Sequence, residues 1–73
     1  MLIQRKIAEY CLLRASQLIN EQLYVANRLI LMAKYCLANN FEMAHYHNLY
    51  SDFPLINKWM ADWYLETIKQ ELQ

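Results

Sequence analysis

Apolar positions along the first part of the chain recur at helical spacing. Ile7, Cys11, Ala15, Leu18 and Ile19 fall on one stripe, while Arg5, Lys6, Glu9 and Gln17 lie away from it. This predicts a helix from about residue 2 to 19 that packs one face. Asn20 is the expected break and N-cap for a second helix, from Glu21 to about Ala38. With no Gly or Pro between them, one continuous helix is the alternative. At 100° per residue, Met32, Val25, Cys36, Leu29, Ala33, Ala26, Leu37, Ile30 and Leu23 cover about half of the second helix. A separate strip of Tyr24, Leu31, Tyr35 and Ala38 lies elsewhere, bounded by Arg28 on one side and by Asn27 and Lys34 on the other.

Asn39 and Asn40 end this helix, since Asn tolerates the left-handed conformation that helix C-termini use where Gly is absent. A short third helix follows, about 41 to 50, with Met43, Tyr46, His47 and Tyr50 along one side. Ser51, Asp52, Phe53 and Pro54 then supply a cap, an acidic residue and a helix-starting proline. The last helix, about 54 to 71, turns Ile56, Trp59, Met60, Trp63, Tyr64 and Ile68 to a broad apolar arc. Lys58, Asp62, Glu66 and Lys69 lie opposite. Trp63 is the expected core anchor and Trp59, nearer the charged face, the expected partner contact.

Composition supports this reading. Leu, Ala and Met supply 23 of the 73 residues and Val, Ile and Thr only 8, with no Gly and one Pro, which favours helix and leaves little material for tight hairpins. The expected fold is therefore all-α: one domain over 1–73, a small bundle of three to four helices arranged as helical hairpins, with the helix at about 21–38 in the centre. A chain of this length buries only about 60% of the surface its unfolded form exposes, so added stabilisation from disulfides, a metal or a partner subunit is expected.

Charge is zero overall but uneven. Residues 1–38 carry Arg5, Lys6, Arg14, Arg28 and Lys34 against Glu9 and Glu21, and residues 39–73 carry Lys58 and Lys69 against Glu42, Asp52, Asp62, Glu66 and Glu71. This suits antiparallel or head-to-tail packing, within one chain or between two. Arg5, Lys6 and Glu9 interrupt the N-terminal apolar residues, so no signal sequence is expected. The apolar stretch Leu29–Ala38 is too short to span a bilayer. The expected compartment is the cytoplasm, with no membrane contact.

Candidate chemistry is sparse. Cys11, Cys36, His45 and His47 match a zinc site in number but not in spacing, because zinc modules bring close ligand pairs on turns. The two thiols read as small buried apolar residues. His45, one turn from Glu42, has the place of a base or pH switch, but no nucleophile, Gly-rich loop or paired carboxylate joins it. No metal, cofactor or catalysis is expected. Arg5, Lys6 and Arg14 spread around the first helix instead of lining one face, so nucleic acid is not the expected partner. A helix-turn-helix regulator is the alternative from a different functional class. The stretch from Tyr35 through Asn39, Asn40, Phe41 and Ala44 to Pro54 resembles part of a tetratricopeptide repeat, with Asn in place of the usual Gly and Pro54 off register. It covers under a third of the chain, and no function is carried over from it.

The expected function is non-catalytic protein binding: self-association, with a homodimer the expected state, and inhibition or adaptation of a larger macromolecular complex. Small helical chains of this composition are common among phage and mobile-element products that block host machinery, including defence-system inhibitors, an analogy of composition only. The candidate contact residues are Tyr24, Arg28, Leu31, Tyr35, Tyr46, Tyr50 and Trp59, because Tyr, Trp and Arg dominate interface energetics. The reason for expecting an intermolecular contact is that the second helix is apolar on two faces, and so short a chain has few helices to cover both.

Overall fold

The computed structural model describes residues 2–49 and 52–72. Four helices follow one another, α1 (Ile3–Leu18), α2 (Leu23–Leu37), α3 (Phe41–Tyr46) and α4 (Pro54–Leu72), and no strand occurs among the described residues. The all-α expectation holds, and the first two helices are separate. Asn20 does not cap α2. The connection is a main-chain turn in which the amides of Glu21 and Gln22 both donate to the Leu18 carbonyl, at 3.1 and 2.7 Å. Gln22 occupies the N-cap with no side-chain bond, two residues later than expected.

The end of α2 follows the sequence closely. Asn39 has φ 56°, the left-handed region, and the amides of Asn39 and Asn40 donate to the carbonyls of Cys36 and Tyr35. This is the paired closure of a Schellman end with Asn in the usual glycine position. The Asn40 side chain then accepts from the Met43 amide at 3.1 Å and starts α3, so two adjacent asparagines stop one helix and begin the next. α3 ends at Tyr46, not near residue 50, because Arg28 takes the carbonyls of Tyr46 and His47. Ser51, the expected cap of α4, and Tyr50 lie outside the described residues.

α1 and α2 form an antiparallel hairpin. Its register is set at one end by the turn and at the other by Gln4 Nε2 donating to Asn39 Oδ1 at 2.7 Å. That register places Ala8 opposite Ala33 and Ala15 opposite Ala26, all four buried. Small residues at a seam let two helix backbones approach closely. On one side of the seam Ile7, Cys11, Leu29, Met32 and Cys36 turn inward and are buried together with Ile56, Met60 and Trp63 of α4. α4 runs antiparallel along α1, with Arg14 over the Phe53 ring at one end and Trp59 edge-on to Tyr10 further along. Leu65, on the face of α4 opposite Trp63, and Leu72, in its last turn, are exposed, and the whole is 45 Å long and about 20 Å across.

On the other side of the seam the apolar half of α2 is left uncovered. Leu23, Ile30 and Leu37 are exposed, as is Ile19 of α1. They flank the buried stripe at the same helical spacing, so periodicity alone does not separate them from it. α3 and α4 cover only the opposite side of the hairpin, and nothing of the described chain lies over this one. Enlarging the seam should force the helices apart: Ala33→Leu is expected to lower the free energy of unfolding by about 1–3 kcal/mol, read from the urea midpoint.

Candidate protein-binding surfaces

Two surfaces carry side chains that suit binding, and the structure treats them differently. The first is the strip singled out by sequence. Tyr24, Arg28, Leu31 and Tyr35 lie at i, i+4, i+7 and i+11 on α2, the spacing of one helix face, and that face is turned to α3. Arg28 organises it. Its Nε donates to the His47 carbonyl at 3.1 Å, one terminal nitrogen to the Tyr46 carbonyl at 3.0 Å and the other to the Tyr24 hydroxyl at 2.8 Å. A guanidinium placed on the last carbonyls of α3 satisfies groups the helix cannot pair itself and meets the negative end of its dipole.

The aromatic rings pack around this anchor. Tyr35 stacks on His47, with ring centres 5.7 Å apart and planes 3° from parallel, and Tyr46 meets the same imidazole edge-on at 5.0 Å. Tyr35 and Leu31 are half-buried, whereas Tyr24 and Tyr46 stand exposed. α3 of the same chain covers Tyr35 and the inner side of Arg28, leaving Tyr24 and Tyr46 as the outward residues of the set. Trp59 stands apart from this cluster, half-buried on α1, with Tyr10 edge-on at 5.5 Å and Lys6 Nζ 4.5 Å from the ring centre. Trp63 is buried, as expected, and meets Phe41 edge-on.

The second surface is the uncovered side of the hairpin. Leu23, Ile30 and Leu37 follow one another at seven-residue intervals on α2, and Leu12 and Ile19 do the same on α1. The hairpin register sets Leu12 beside Ile30 and Ile19 beside Leu23, so the five form a continuous apolar strip, each at least 40% exposed. A seven-residue repeat on both helices keeps the row on one side along their length. Sequence periodicity could have found this row, but only with the hairpin register in hand.

The remaining polar and titratable groups are absorbed by the fold. Cys11 and Cys36 are free and buried, and burial pushes both thiols up to about 12, which removes the thiolate needed for reactivity. Among the described residues no three His, Cys, Asp or Glu side chains converge as a metal site would require. Lys6 and Arg14 lie over aromatic faces and Arg28 is committed to α3, so the basic residues of the N-terminal half form no stripe. Among the described residues no helix is long and apolar enough to cross a membrane. A cleft of about 610 Å³ between α3 and α4 is lined by Phe41, His45, Asn48 and Tyr64, among others. Buried Asn48 donates to Asn57 Oδ1 at 2.6 Å, and its own oxygen is unpartnered.

Together the fold and these surfaces define a small all-α bundle with one side of its leading hairpin uncovered. No family model matches the chain, and no curated protein or solved structure matches it either.

The His47 ring gives this site a pH dependence. Burial, and then the Arg28 charge, lower its pKa below the ordinary 6.5. A base whose folded pKa is lowered takes up protons more readily when unfolded, so stability is full above that ordinary value and declines as pH falls through it toward the folded pKa. The urea midpoint should fall between about pH 7.5 and pH 5.5, and His47→Gln should flatten that slope.

Proposed function

We propose that this chain is a non-catalytic protein-binding module that self-associates and acts as an inhibitor or adaptor of a larger assembly, with the uncovered side of the α1–α2 hairpin as its contact surface. One observation carries the reading: Leu12, Ile19, Leu23, Ile30 and Leu37 line one side of two neighbouring helices in a chain with little core to spare. Single exposed aliphatic residues are ordinary on protein surfaces. A contiguous row spanning two helices is the pattern that marks a contact site. Tyr24 and Tyr46, held by Arg28 at the α3 end, give a second, more polar edge of the residue types that anchor interfaces.

The commitment of Lys6, Arg14 and Arg28 to aromatic rings and helix carbonyls favours this reading over nucleic-acid binding, which needs free cations along one face. The test is recovery of partners from cells of the native source. A tagged chain should retain a stoichiometric protein partner, and Leu12→Glu with Ile30→Glu should lose it while keeping a helical circular dichroism spectrum. Equal recovery by both chains would refute the assignment of this surface.

A further inference from the structure

We infer that the occupant of the uncovered hairpin surface is a second copy of this chain, stacked face to face and antiparallel about a two-fold axis that crosses the hairpin at Leu12 and Ile30. This rests on the self-associating binding-module reading above and deepens it with the symmetry and register of the contact. The first argument is size. The five aliphatic residues are 40% to 63% exposed along two neighbouring helices, a patch of the few-hundred-Å² order that forms the apolar centre of a standard interface burying about 800 Å² per partner.

The second argument is symmetry. A two-fold contact must be self-complementary, so the strip has to match its own reversed copy. With Leu12 and Ile30 at the midpoint, the reversed copy lays each over its own counterpart and brings Leu23 of one chain over Leu37 of the other. Large aliphatic residues therefore meet large aliphatic residues along α2. On α1, Ile19 meets the aliphatic stem of Arg5 from the second copy. The assembled unit is a four-helix layer of two hairpins, with α3 and α4 of each copy on its outside.

Charge selects between the two ways of stacking. The open end of the hairpin carries Arg5 and Lys34 beside the strip, with Glu9 paired to Arg5 at 3.3 Å, and the turn end carries Glu21. Stacking like ends together would bring the Arg5 and Lys34 groups of both copies into one region and the two Glu21 carboxylates into another. The antiparallel arrangement sets each Glu21 near the Arg5 of the other copy, so the same charges that oppose one register support the other. Glu9 already shares Arg5 within the chain, and Lys34 stands beside the strip at the same end.

Two measurements on the purified chain decide this. Sedimentation equilibrium should give twice the chain mass, and Ile30→Glu should give a single-chain mass with its helical spectrum intact. Asn20→Cys puts a spin label on the exposed turn, clear of the strip, while Cys11 and Cys36 stay buried. Asn20 lies eight residues from Leu12 along α1, so antiparallel stacking separates the two labels by roughly 24 Å or more at 1.5 Å per residue. Stacking of like ends would hold them side by side, and a short label distance would overturn the register. A single-chain mass for the parent protein would overturn the second copy as occupant. If strip-dependent recovery of another protein from cells still held, the binding module would stand with a different partner; if that recovery failed as well, both readings would fall.

Discussion

Close approach of α1 and α2 across four buried alanines is the constraint from which the rest of this fold follows. Ala8, Ala15, Ala26 and Ala33 are all buried, and the hairpin register sets them opposite one another along the seam. Two helices this close cannot also hold Leu12 or Ile30 between them. The large residues on either side of the seam are therefore sorted outward, to one surface or the other. Ile7, Leu29 and Met32 turn toward α4 and are sealed. Leu12, Ile19, Leu23, Ile30 and Leu37 turn the other way and stay exposed, because the remaining helices of the described chain pack on one side of the hairpin only.

Arg28 fixes where the cover goes. By donating to the last carbonyls of α3 it draws that short helix over the Tyr24–Tyr35 side of α2, and α4 then follows on the same side, meeting α3 through Phe41, Trp63 and Tyr64. Hydrogen bonds from a charged donor are worth more than neutral ones, about 1.5–3 kcal/mol each, and Arg28 makes three. Of the residue types expected at a binding hot spot, Arg28, Tyr35 and Trp59 are thus partly engaged within the molecule, while Tyr24 and Tyr46 stay exposed. The greasier but plainer aliphatic row is left outside, and it is this row on which the proposed pairing rests.

Element types and order could be read from the chain because each rests on a local signal. Asn39 and Asn40 mark a helix end and a helix start through their own backbone and side-chain bonds, Pro54 starts α4, and the stripe on α1 needs only its own periodicity. What could not be read depends on how elements meet. The turn after Leu18 is held by main-chain bonds that any residues could make, so Asn20 attracted a capping role it does not have. The second apolar strip of α2 was visible, but its cover came from an arginine eighteen residues away in sequence from the carbonyl it binds. For Leu23, Ile30 and Leu37, apolar character and spacing match those of core residues. Only the hairpin register and the side chosen by α3 and α4 distinguish exposure from burial.

Under the proposed pairing the second side of the hairpin is covered only in the assembly, which couples folding to association. Mass action makes the coupling visible, since anything that binds the folded state and not the unfolded one raises its apparent stability with concentration. The most direct measurement is the thermal unfolding midpoint over about a hundredfold range of chain concentration. The account predicts a midpoint that climbs steadily with concentration in the parent chain. A midpoint unchanged across that range would contradict it, showing that the chain is as stable alone as it is in the presence of its own copies.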